Sequence, residues 1–144
     1  MIWKNEAISK LKQYSAKLLA LENIPLEIQQ QYLAMASIRS ADPDSVPVRG
    51  NSTREDAILN NMTYRGELME SYAQTKLWVD SVNRALGVLN QEERTLLDRF
   101  FIYAEPKAAD RLAGDLHMDV KTVYRRKDEA LRKFVVALYG VAET

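Results

Sequence analysis

LNQEERTLLDRFFIYAEPKAADRLAGDLHMDVKTVYRRKDEALRKFVVALYG, residues 89 to 140, strings three apolar helical stripes between two short breaks. Asn90 stands where a helix N-cap is needed, and Glu92 and Glu93 follow in the opening turn, where the helix dipole favours carboxylates. Leu96, Leu97, Phe100 and Phe101 then form one apolar face. Pro106 opens a second, short helix reaching about Leu116, and Asp119 caps a third that begins at Val120.

Two helices that cross closely need a small residue at the crossing, a hydrophobe before the turn, another after it and a further one in the second helix. Ala113, Leu116, Met118 and Val123 occupy those places, with Val123, Leu131 and Phe134 facing a core. The spacing therefore predicts a helix-turn-helix. Its last helix would carry Lys121, Thr122, Tyr124, Arg125 and Arg126 within reach of a DNA groove, with Lys127 beside them. Lys121, Thr122 and Arg125 are the expected base readers, because Arg and Lys donors match the two major-groove acceptors of guanine and Thr can meet a thymine methyl. Arg126 and Lys127 are expected on the phosphate backbone. For Tyr124 two roles stay open, a hydroxyl on phosphate or a ring packed at the rim of the core. From Val120 to Lys133 six cations (Lys121, Arg125, Arg126, Lys127, Arg132, Lys133) stand against Asp128 and Glu129, a surplus of four on a chain of zero formal net charge. Such a stripe suits one groove-facing helix, and an ordinary solvated helix face has the same composition.

Outward from this stretch, helical spacing continues. Ile8, Leu11, Tyr14, Leu18 and Leu19 predict a helix over about 3–21, and Pro25 after Asn23 predicts a second over 25–39 bearing Ile28, Tyr32, Met35 and Ile38. Residues 1–39 thus read as a helical hairpin. SADPDSVPVRGNS, residues 40–52, breaks periodic structure and reads as a flexible loop. Thr53, followed by Arg54, Glu55 and Asp56, starts a central helical segment over 53–89, one long helix or two joined near Gly66. Residues 90–144 form the C-terminal unit. Strand alternation is absent, so the fold class is all-α.

Composition excludes several chemistries. The 144 residues include no cysteine and one histidine, His117, so thiol and imidazole metal clusters cannot assemble, and no cofactor or metal is expected. The five glycines are scattered and form no phosphate loop, and Glu92 and Glu93 are adjacent, so they point to different parts of a helix surface. An enzyme is not expected. MIWKNE at the N-terminus has no secretion-signal core and no apolar run reaches eighteen residues, which predicts a cytoplasmic protein without membrane partners.

With LNQEER at 89–94 and TVYRRKDEALRKF at 122–134, together with Trp3 and LYG at 138–140, the chain resembles the ArpU/RinA-type phage transcriptional regulators and, more distantly, region four of the RNA-polymerase sigma factors. The resemblance implies a phage or prophage regulator that places Lys121, Thr122, Arg125 and Arg126 in promoter DNA; a further reading makes the chain a module that binds RNA polymerase through its N-terminal helices, with weak DNA affinity alone. His117 stands at the turn position where that pattern usually has glycine. The alternative reading is a phage terminase small subunit, which joins a DNA-binding helical unit to a ring-forming segment. The apolar stripe of 58–89 also permits a homodimer.

Overall fold

The computed structural model describes residues 2–40 and 53–142, and its elements are all helical: α1 (Ile2–Ser40), α2 (Arg54–Leu86), α3 (Gln91–Leu97), a π-helical turn (Asp98–Ile102), α4 (Ala108–Asp115) and α5 (Val120–Tyr139). Among the described residues there is no strand, and no helix is long and apolar enough to cross a membrane. The expected loop at 40–52 lies outside the described residues apart from Ser40, which ends α1.

The N-terminal hairpin expected within 1–39 does not form. Residues 2–40 are one helix that runs through Pro25. Proline removes one N–H and crowds the carbonyl four residues back, here Leu21, at a cost of about 3 kcal/mol in a helix interior. Pro25 is exposed, so solvent can hydrate that carbonyl. Leu18, Leu21, Ile24, Ile28, Gln31 and Met35 are half-buried to buried at unbroken three-four spacing across the proline. A reversal at Glu22–Ile24 would have thrown that stripe out of phase.

The chain divides into two compact units. In one, Leu19–Lys76, the α1 and α2 segments meet along a strip of α2 formed by Ile58, Asn61, Arg65, Leu68, Tyr72 and Thr75. Asn61 donates to the Gln31 carbonyl at 2.9 Å, the Arg65 guanidinium lies 4.1 Å from the centre of the Tyr32 ring, and the Tyr64 hydroxyl donates to Glu27. Thr53 caps α2 reciprocally: its hydroxyl accepts from the Asp56 N–H and its own N–H donates to the Asp56 carboxylate, each at 3.1 Å.

The other unit comprises Met1–Leu18 and Leu77–Thr144. Ala7 and Leu11 of α1, Val79, Val82 and Leu86 of α2, Leu97, Ile102, and Leu131, Phe134 and Val135 of α5 are all buried in it. Tyr14 donates to the Asn83 side chain, and the Trp3 and Tyr139 rings sit 5.1 Å apart. Phe100 continues the face of Leu96, but Phe101 does not continue that of Leu97 as a regular helix would place it. The N–H of Tyr103 bonds the carbonyl of Asp98 at 2.7 Å, five residues back, and this wider turn brings Ile102 into the core while both phenylalanines stay half-buried.

Candidate nucleic-acid interface

The surface in question is built on a small cluster. Leu96, Ala108, Ala109, Leu112 and Val123 are buried together, with Phe100, Ala113, Leu116 and Met118 packed against them. Ala113, Leu116, Met118 and Val123, the positions expected at the joint of two crossing helices, thus share one core. Ala108, Ala109 and Ala113 are small, which lets α5 approach α4 closely.

The joint itself is a capped turn. Leu116 N–H bonds the Leu112 carbonyl at 2.8 Å, and Met118 N–H reaches back to Ala113 at 3.1 Å, the six-to-one bond of a Schellman closure. Such a closure needs a left-handed residue between, and His117 supplies it with φ 55°. Asp119 follows in extended conformation, and its carboxylate accepts the Thr122 N–H at 2.7 Å. Bonding to Thr122 holds the Asp119 carboxyl below its ordinary value, so the cap is charged at neutral pH. The start of α4 differs from expectation. Pro106 lies in the preceding turn, Lys107 is left-handed at φ 56° without a side-chain cap, and the helix begins at Ala108.

A salt-bridge frame fixes the surroundings. Arg99 in the π-helical turn grips Glu105 at 2.6 Å and Asp115 at 2.7 Å, tying the loop before α4 to its end. Those two carboxylates raise the Arg99 pKa still further. Asn90 caps α3 in a full capping box with Glu93, at 2.8 and 3.0 Å. Arg126 and Lys133 of α5 then bind Glu92 and Glu93 of α3, each at 2.6 Å. Burial pushes the Glu93 carboxyl up, but the hydrogen bonds from Lys133 and from the Asn90 N–H outweigh it and hold its pKa below the ordinary value.

The six expected contact residues therefore separate. Lys121, Tyr124 and Arg125 face solvent on the first turns of α5. Arg125 keeps 63% of its side chain exposed and makes only a loose pair with Glu129, at 3.6 Å. Tyr124 takes the rim position, half-exposed with its ring 5.9 Å from Phe100. Thr122 is half-buried beside its cap. Arg126 is turned to Glu92, and Lys127, 16% exposed, lies over the Phe100 and Tyr124 rings and pairs with Asp128 at 2.9 Å. Four of the six cations in the basic stripe thus have a carboxylate partner, while Lys121 and Arg132 make no ion pair among the described residues. Sequence reasoning assigned Glu92 and Glu93 to helix-start charge alone and missed their hold on α5, which lies 34 and 40 positions away and leaves no local signature.

The arrangement offers a rigid helix end with two cations one turn apart and an amphipathic ring beside them. Among the described residues no cluster of His, Cys, Asp or Glu could hold a metal ion. No protein-family model, curated protein or solved structure matches the chain.

Proposed function

We propose that the chain is a phage- or prophage-type transcriptional regulator that binds promoter DNA, using α4 and α5 as a helix-turn-helix. The observation that carries this reading is the exposure of Lys121 and Arg125 at the N-terminal end of α5, the end that meets base edges when such a helix enters the major groove. Lys121 and Arg125 are the base readers in this proposal. Tyr124 flanks them with a hydroxyl suited to phosphate, and the capped start of α5 on the Val123 core keeps the three in fixed register. Arg126 and Lys127 support the helix, because their charges are already engaged by Glu92 and Asp128.

Because Arg126 and Lys127 are already paired, few cations are left to displace counterions, which implies a small salt dependence. With Lys121 and Arg125 alone bringing free charge to the DNA, the logarithm of affinity should fall with that of salt at a slope no steeper than about −2. The deciding experiment selects sites from a randomised duplex pool with the intact protein and with a Lys121→Ala, Arg125→Ala double variant. A sharp motif that the variant loses is the expected result. Binding without a motif would move the reading to DNA packaging, and no binding at either low or moderate salt would end the DNA assignment.

The packaging alternative draws on a separate observation, the large apolar side chains exposed on Leu19–Lys76, since a ring must be assembled through such a surface. Light-scattering mass distinguishes the two: a regulator should be a monomer or dimer, a packaging subunit a large ring.

A further inference from the structure

The apolar side chains at the turn between α4 and α5 have two fates. Leu116, Met118 and Val123 pack into the cluster beneath it, whereas Val120, the first residue of α5, is left 36% exposed. From there the exposed side chains of the first two turns form neighbouring columns at four-residue spacing, Lys121 with Arg125 and Val120 with Tyr124. Phosphate is disfavoured at this helix end. The charged Asp119 carboxylate stands where an anion would seek unpaired N–H groups, and it accepts the Thr122 N–H at 2.7 Å. Asp119 also bonds the Thr122 hydroxyl, which engages the side chain expected to meet a thymine methyl. Val120 is then the apolar side chain that the tip of α5 presents. Its branched Cβ holds it largely to one rotamer, so a contact made there costs little entropy.

We propose, resting on the DNA reading of α5, that Val120 is a third base reader and that the bound site carries a 5-methylpyrimidine beside the guanine met by Lys121. The C5-methyl of thymine is the apolar group that a base pair presents in the major groove, and apolar side chains are what it takes. Thymine and 5-methylcytosine carry that methyl on the same ring carbon, so the chemistry Val120 recognises is common to both. Val120 and Lys121 lie about 1.5 Å apart along the helix axis, less than the roughly 3.4 Å between stacked base pairs. Methyl and guanine therefore fall on neighbouring base pairs. Lys121 and Arg125 supply charge and hydrogen bonds to guanine acceptors, and Val120 adds a contact that depends on shape and apolar area alone. Removing one methyl from such a contact is worth about fourfold in affinity.

The test works on the DNA first and needs no variant to begin. Binding is measured with the full-length chain on the duplex selected from a random pool, with each thymine replaced in turn by deoxyuridine, which lacks only the methyl, and each cytosine by 5-methyldeoxycytidine. Deoxyuridine at one position is expected to weaken binding about fourfold. Val120→Ser should cost about the same on the thymine duplex and nothing further on the deoxyuridine duplex. If the methyl belongs to 5-methylcytosine, thymine replacement has no effect and one 5-methyldeoxycytidine strengthens binding about fourfold, again only while Val120 is present. A deoxyuridine loss that is equal in the Val120→Ser chain would mean that the methyl acts through DNA shape, and this overturns the assignment. So does a motif bound equally well with and without every methyl, an outcome that leaves the DNA reading standing. Failure to bind any duplex ends that reading and the role of Val120 together.

Discussion

Arg125 and Arg126 are adjacent and chemically identical, yet their surroundings give them different work. Arg125 projects into solvent against a loose partner, whereas Arg126 is held at 2.6 Å by Glu92. If Arg125 reads a guanine, Arg125→Ala should cost about 1 to 3 kcal/mol of DNA affinity and relax preference at one base pair. Arg126→Ala should change site preference little and cost at most about 1 kcal/mol of fold stability, the usual value of a partly exposed ion pair. Binding titrations on the selected site and on single-base variants check both, and equal losses from the two substitutions would contradict the assignment. Glu93 sets a pH dependence of a different kind. Its carboxyl pKa lies below the ordinary 4.5 in the folded chain, so the proton binds the unfolded state more tightly. The stabilisation is fully present above about pH 4.5 and disappears as pH falls through the lower folded value. Thermal unfolding followed from pH 6 to about pH 3 should therefore show a drop in midpoint that Glu93→Gln reduces.

At the scale of elements, the ends of α3 and α5 were legible and the turn before α4 was not, for a physical reason. Asn90 and Asp119 cap helices by bonding an N–H three residues on, so the whole interaction lies in four consecutive letters. The packing of α4 on α5 was legible too, because Ala113, Leu116, Met118 and Val123 are apolar at spacings that bring them into one cluster. The π-helical turn depends on which residue the core accepts, Ile102 in place of Phe101, and on Arg99 reaching Asp115 sixteen positions away. Neither has a local signature. Pro25 misled in the opposite sense, since a rule about one residue was set above an apolar stripe that passes through it in phase. The joint makes its own test. Asp119→Ala should cost about 1 kcal/mol by leaving the first turn of α5 uncapped. His117 is left-handed at φ 55°, so His117→Val should destabilise by about 1 to 2 kcal/mol, while His117→Gly should be neutral or stabilising by up to about 1 kcal/mol. Urea unfolding of the three variants measures these values, and a well-tolerated valine would mean that the turn does not need its left-handed residue.

Over the whole molecule the buried apolar side chains are shared unevenly. Among the described residues, Met35 is the one buried apolar side chain in Leu19–Lys76, where the other buried side chains are Asn61 and Thr75. The unit of Met1–Leu18 and Leu77–Thr144 holds the rest, Leu11, Leu97, Leu112, Leu131 and Phe134 among them. Both units are largely helical, so apolar burial is the larger difference between them. Opening of the Leu19–Lys76 unit should therefore cost less than opening of the other, and amides of α2 from Ile58 to Thr75 should exchange with solvent at least about tenfold faster than those around Leu131 and Phe134. Equal protection of the two units would mean that the Leu19–Lys76 pair draws its stability from something other than buried apolar side chains.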